Sequence, residues 1–162
     1  MYPKIEVVAE RKLIGKRIKT SFSNDKTREL WQSFMPRRKE ILNNLSADLI
    51  SLQIYDKSFG ISEFNPNTEF EKWALVEVSD FNNIPKNMEA FTLTGGLYAI
   101  FLHKNALSTA EETFHYIFNA WIPNSEYDLD NKRPYFEVLG EKYKNNEVSS
   151  EEEIWIPIQL KR

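Results

Sequence analysis

Two stretches of this chain, 84 residues apart, carry the same order of predicted elements: strand, helix, strand, loop, strand. Leu13-Ile14-Gly15 aligns with Leu97-Tyr98-Ala99, and Ser51-Leu52-Gln53-Ile54 with Tyr135-Phe136-Glu137-Val138, both at an offset of 84. Phe70-Glu71-Lys72-Trp73 aligns with Glu152-Glu153-Ile154-Trp155 at 82. Identities are few, so the near-constant offset and the matching element order carry the case for an internal duplication. Each half supplies a small antiparallel sheet with one helix on one face, too little to bury a full core alone. The expected fold is therefore α+β: a duplicated strand–helix–strand–strand module with pseudo-twofold symmetry, an antiparallel sheet or sheets and two main helices around a central cleft. One domain over residues 1–162 is expected, with pseudo-repeats of about 1–80 and 86–162.

The local patterns behind that order are simple. Residues 5–22 read as strand. Ser23-Asn24-Asp25 offers helix caps before Leu30, Trp31, Phe34 and Met35, which fall on one helical face. This predicts a helix near residues 26–43, with a kink or a tightened turn at Pro36 before it resumes through Ile41, Leu42 and Leu45. Residues 49–55 and 73–78 read as strands, separated by a loop over 57–69. The runs 89–94 and 97–103 flank Gly95-Gly96 and read as a hairpin or a bulged bend. Ser108-Thr109-Ala110-Glu111 is a capping box. Phe114, Ile117, Phe118 and Trp121 follow at helical spacing until Pro123, which predicts a second helix near 109–121 with Phe118 as a core anchor. A polar loop (124–133), a strand (135–140), a charged loop (142–153) and a last strand (154–160) complete the chain.

Composition excludes several functions. With 21 Lys and Arg against 24 Asp and Glu, the net charge is −3, and no basic footprint for nucleic acid is expected. Cysteine is absent, which removes disulfides, thiolate nucleophiles and thiolate metal sites. His103 and His115 suggest no metal centre, and no Ser-His-Asp or His-Glu-x-x-His arrangement is present. No cofactor and no metal are expected. The amino terminus lacks an apolar signal core and no run is long enough to span a membrane, so a cytoplasmic protein is expected. Aromatics make up 14% of the chain, with 4 Trp, 7 Tyr and 11 Phe. Core filling is their default use, and lining a ligand site is the sharper one.

Four segments carry a resemblance: Gly96 to Lys104 (GLYAIFLHK), Trp121 to Tyr127 (WIPNSEY), Arg133 to Leu139 (RPYFEVL) and Glu152 to Ile158 (EEIWIPI). Together they resemble the GyrI-like family, also called the effector-binding domain of AraC-type and multidrug-responsive transcription regulators. The resemblance implies a duplicated fold with a central ligand cleft. It implies a drug-sensing domain, a stand-alone binding protein, a hydrolase or a gyrase inhibitor, since the family includes all four. It also implies a cleft carboxylate at Glu137. Two residues depart from the family pattern: Asn105 replaces a glycine after His103-Lys104 and is expected to accept positive φ, and Leu139 replaces a tyrosine.

Taken alone, Glu137 in a strand reads as a solvated carboxylate; the resemblance moves it into the cleft. The expected ligand-binding residues are Glu137, Tyr55, Tyr98, Trp121, Tyr135, Trp73 and Trp155, although each ring by itself reads more simply as core. No residue is assigned to catalysis in the binding reading. The leading expectation is a stand-alone sensor or sequestering module for a small, largely apolar ligand, neutral or cationic. The alternatives are a hydrolase of reactive electrophiles with Glu137 as general base, and an inhibitor docking on a protein such as DNA gyrase. Expected partners are a small-molecule ligand, no directly bound nucleic acid, no membrane, and a possible protein partner in trans. Glu151-Glu152-Glu153 reads as a solvated strand entry.

Overall fold

The computed structural model describes residues 2–55, 65–105, 110–144 and 147–162. Nine strands are formed: β1 (Lys4–Val8), β2 (Arg11–Thr20), β3 (Leu49–Ile54), β4 (Phe70–Val78), β5 (Glu89–Leu93), β6 (Gly96–Lys104), β7 (Tyr127–Leu129), β8 (Phe136–Leu139) and β9 (Glu151–Leu160). Helix α1 (Thr27–Phe34) lies between β2 and β3. Helix α2 (Ala110–Tyr116) and the short α3 (Ile122–Asn124) lie between β6 and β7. The chain forms two compact units: Glu10–Leu93, and Met1–Ala9 with Thr94–Arg162. The fold is α+β, as expected.

In the Glu10–Leu93 unit the strands pair antiparallel in the order β3-β4-β2-β5. Residues directly opposite each other share a face and successive residues alternate, so register assigns every side chain to a face. Ile14, Ala74, Val76 and Val78 lie on the face that carries α1, packed with Leu30 and Phe34 of the helix and with Ile41 and Met88. Leu30 and Phe34 are four apart, so one helical stripe delivers both. Burying each such side chain contributes about 1.5–3 kcal/mol. Asp25 accepts the Thr27 N–H at 2.9 Å just ahead of the helix; the Thr27 side chain first, and this N–H to a smaller degree, hold its carboxyl below the usual range against burial.

Pro36 ends α1 as its missing N–H requires, and residues Met35–Glu40 tighten into a 3-10 turn. The helix does not resume. Ile41 is extended and buried, while Leu42 and Leu45 are exposed. Their apolar spacing imitates a helical stripe, but Ile41 alone finds the core.

The other unit pairs β1-β6-β9-β8, with β7 also on β9. β5 and β6 are therefore not a hairpin: β5 pairs with β2, while β6 pairs with β1 and β9. Gly96 between them has φ +150°, a conformation side chains rarely adopt. β7 falls where a polar loop was expected. Ala99, Phe101, Ile154, Ile156 and Ile158 line the helix-bearing face, and Ile117 is the fully buried helix residue against them. Phe118 is only partly buried, stacked on Phe114 at 6.3 Å, so Ile117 rather than Phe118 is the anchor. A π-helical turn over Ile117–Trp121, where the Ile122 N–H bonds back to Ile117, widens the helix, and Phe118 packs at the margin of the core. Pro123 sits within the final turn rather than ending the helix before it. The expected capping hydroxyls, Ser108 and Thr109, lie outside the described residues, as does most of the loop expected over 57–69.

β2 passes close to β4 at Gly15. A Cβ there would run into the Ala74 carbonyl oxygen and lie 2.9 Å from the Leu75 Cα, both backbone atoms of a paired strand. Gly15→Ala is expected to destabilise the protein at or above the ~1–3 kcal/mol usual for overpacking. Denaturant unfolding checks this; an unchanged midpoint would show that the strands separate freely.

Candidate functional site

Register divides the seven expected ligand residues between faces. In β8, Phe136 lies opposite Trp155, and Glu137 lies opposite Ile154. In β6, Phe101 lies opposite Ile154, and Tyr98 opposite Pro157. Glu137 therefore shares the helix-bearing face with Phe101 and Ile154. Tyr98, Phe136 and Trp155 are on the reverse face.

The helix-bearing face brings three expected residues to one side of the sheet. Glu137 is partly buried. Tyr135, two residues earlier, meets Phe114 of α2 edge to face at 5.7 Å. Trp121, in the π-helical turn, meets Phe101 edge to face at 5.2 Å and stacks on Tyr127 at 6.1 Å. Two further residues join them that were not expected. Glu152 precedes Ile154 by two, so it shares the face and lies diagonal to Glu137. The Tyr143 phenol is pushed above its ordinary value, first by burial and then by the negative charges of Glu152 and Glu137. Glu152 was legible in principle, by extending the alternation of Ile154 and Ile156 back through the glutamate run. Tyr143 lies in a charged loop with no periodicity, and nothing in the sequence points to it.

Farther along the same face His103 is buried. Its Nδ1 pairs with Thr113 Oγ1 of α2 at 2.8 Å and its Nε2 with Asn105 Oδ1 at 2.9 Å. Asn105 does not have positive φ; among the described non-glycine residues only Asn87 does. Asn105 instead fixes the imidazole and donates to the Glu147 carbonyl at 2.9 Å.

The reverse face is closed by its own contacts. Tyr98 is fully buried, with Phe136 and Trp155 at its edges at 5.7 and 5.8 Å. The Arg133 guanidinium lies over its ring at 4.7 Å. Arg133 also donates to the Leu97 and Ile158 carbonyls, each at 3.0 Å, and to Asp130 at 3.0 Å. Gly96 makes room for it: a Cβ there would lie 2.6 Å from the guanidinium. Burial works to raise the Asp130 carboxyl, but the Lys132 N–H and the Arg133 guanidinium outweigh it and hold the group low. A cation already occupies this face of Tyr98.

The other two expected residues lie in the Glu10–Leu93 unit, also on different faces. Tyr55 stacks on Phe70 at 4.8 Å on the helix side. Trp73 is on the reverse side, opposite both Arg17 and Leu52, under the Arg17 guanidinium at 5.6 Å and beside Phe91 at 5.2 Å. Glu71 and Glu89 hold Arg17 at 2.8 Å each. Trp73 and Trp155 make the same local bond: each indole N–H donates to the glutamate two residues before it, Glu71 at 2.6 Å and Glu153 at 3.3 Å. A hollow of about 410 Å³ in this unit, lined by Arg38, Lys39, Ile41 and Leu42 among others, holds none of the seven. Among the described residues, no three His, Asp or Glu side chains gather as metal ligands, and no helix is long and apolar enough to cross a membrane.

The antiparallel α+β fold, with helices on one face of the sheet in each unit, agrees with the comparisons. Residues 1–159 match the model of the GyrI-like small molecule binding domain, and the chain belongs to that family. It is 27% identical over 148 residues to the transcriptional regulator BrlR of Pseudomonas aeruginosa, a match that covers 90% of this chain and 51% of BrlR. The chain thus spans about half the length of that relative. Among solved structures, the EcmrR C-terminal domain is similar with a TM-score of 0.72 and 17% identity, covering 99% of each chain. SAV2435 bound to tetraphenylphosphonium is similar with a TM-score of 0.65 and 19% identity, covering 98% of this chain and 94% of that one.

Spectrophotometric titration checks the proximity of Tyr143 to the carboxylates, with Tyr143→Phe identifying its transition. Tyr143 is expected to ionise above the usual value of about 10, and Glu137→Gln to bring it down. A Tyr143 transition at the usual value in both proteins would separate the two groups.

Proposed function

We propose that this protein binds a lipophilic cation on the helix-bearing face of β8, with Glu137 as the charge-selecting group. The observation that carries the reading is a partly buried carboxylate beside a cluster of rings and aliphatic side chains on the helix-bearing face. A carboxylate drawn partly out of water gains most from a cation whose own charge is spread and weakly hydrated. Tyr135, Phe114, Phe118 and Trp121 offer ring faces and edges to such a ligand. Glu152 adds a second negative charge. Tyr55, Tyr98, Trp73 and Trp155 are then structural or secondary in this unit's binding. The tetraphenylphosphonium held by SAV2435 is a ligand of the proposed chemistry.

The likeness to BrlR supports a sensing role of regulator type. In that role the chain reports or sequesters a small molecule in the cytoplasm. We also read the chain as two copies of one module. The pairing order β3-β4-β2 and the order β8-β9-β6 support this, as do the matching cross-strand pairs Leu52–Trp73 and Phe136–Trp155 and the shared indole–glutamate bond.

A second reading rests on Tyr143. A partly buried phenol that feels the charge of Glu137 is the kind of donor a hydrolytic site needs beside its general base. One variant separates the two. In the binding reading, Glu137→Gln weakens tetraphenylphosphonium by roughly 1.5–3 kcal/mol and leaves neutral triphenylphosphine oxide nearly unchanged, as calorimetry would show. In the hydrolytic reading, the same variant abolishes turnover of an electrophilic ester and spares its binding. Unchanged affinity for both compounds, with no turnover lost, would remove Glu137 from the site.

A further inference from the structure

We infer that β1 is the pairing edge of a homodimer, in which β1 of one copy joins β1 of a second copy antiparallel about a twofold axis at Ile5. β1 pairs with β6 on one side, and among the described residues no strand or backbone group pairs with its other side. Arg133 shows which backbone groups face that open side. The Leu97 carbonyl accepts from Arg133, which also bonds the Ile158 carbonyl of β9, so Leu97 points its backbone toward β9 and away from β1. Leu97 lies opposite Val7, so the two form a non-hydrogen-bonded pair and Val7 turns its own N–H and C=O outward. Orientation alternates along a strand, so Ile5 also points outward, while Lys4, Glu6 and Val8 bond to β6. The side chains of the same two residues are open to water: Val7 is 80% exposed and Ile5 37%. An edge with open donors beside exposed apolar groups is a template for another strand.

Charge selects a second copy as the occupant and fixes the register. Lys4 and Glu6 share a face and pair at 2.7 Å, so the lysine does not repel an approaching copy. A twofold axis at Ile5 sets Lys4 of each copy opposite Glu6 of the other, with Ile5 opposite Ile5. An axis at Lys4 or at Glu6 would set like charges directly opposite each other, which is destabilising. An axis at Val7 would set Glu6 against Val8 and run the pairing past the end of β1. The backbone agrees with the axis at Ile5. Ile5 exchanges both hydrogen bonds with its copy, and the Val7 N–H donates to the Pro3 carbonyl. Pro3 has no N–H, which leaves one carbonyl in each copy to water but no edge donor unused. The contact is small, so the dimer is weak and depends on concentration. It uses neither Glu137 nor the rings beside it, and stands or falls apart from the ligand reading.

Analytical ultracentrifugation of the full chain tests the dimer. The average mass is expected to rise toward twice the monomer between about 10 µM and about 1 mM. Lys4→Glu and Glu6→Lys are each expected to stay monomeric over that range, because each sets like charges opposite in the dimer. An equal mixture of the two variants is expected to associate as the parent does, because the facing charges are complementary again. The register has its own readout. The chain has no cysteine, so Ile5→Cys introduces a single thiol. Mild oxidation is expected to link it to its copy, since a cross-strand Cα separation of about 5.5 Å suits a disulfide. Val7→Cys is more exposed but faces Pro3, and is expected to link about tenfold more slowly. A monomer mass at about 1 mM, association that survives both charge variants, a mixture that stays monomeric, or linking through Val7→Cys as fast as through Ile5→Cys would overturn the inference.

Discussion

The alternation of side chains along β9 is the constraint on which the Thr94–Arg162 unit depends. Ten residues long, β9 pairs with β6, β8 and β7. Ile154, Ile156 and Ile158 must all point toward α2, which leaves Trp155 and Pro157 for the other side. A slip of one residue would exchange the isoleucine row for Trp155 and Glu153, so the register is strongly held. Because Glu137 lies opposite Ile154, its face is settled by the same row. The carboxylate is on the helix side because three isoleucines require it.

Two chemistries follow from that partition. On the reverse face, Arg133 supplies the cation from within the chain: it covers Tyr98, ties Leu97 to Ile158 and is neutralised by Asp130. On the helix face two carboxylates and a phenol lie beside an apolar wall of isoleucines and rings. A helix interrupted by a π-helical turn lines that wall, and such turns recur at functional sites because their hydrogen bonding is less regular. The Glu10–Leu93 unit repeats the partition: Arg17 and its two glutamates cover Trp73 on one side, and Gln53 is buried on the other.

Much of this was legible in the sequence. The strands around Leu52, Trp73, Phe101 and Trp155 follow from alternation and β-branched content, and the tightened turn after α1 from Pro36. The segment after Pro36 was misleading because a short apolar run at Ile41, Leu42 and Leu45 satisfies helical spacing without any partner for two of its members. The Gly95-Gly96 bend was misread because strand proximity in sequence suggests a hairpin, whereas Gly96 is the residue that gives way to Arg133. The site was half legible. Parity placed Tyr135 and Glu137 together, but grouping all the aromatics ignored that Trp155 and Tyr98 have the opposite parity. Arg133 and Tyr143 act through long-range contacts that no local pattern encodes.

Crystallography of the protein with tetraphenylphosphonium tests most directly whether the helix-bearing carboxylate is the ligand's counter-charge. The account predicts phenyl rings against Tyr135 and the α2 aromatics, with the phosphorus within about 6 Å of the Glu137 carboxylate, the range over which such charge–ring and charge–charge contacts act. A cation seated instead against Trp155 and Tyr98, with Glu137 left in water, would contradict it.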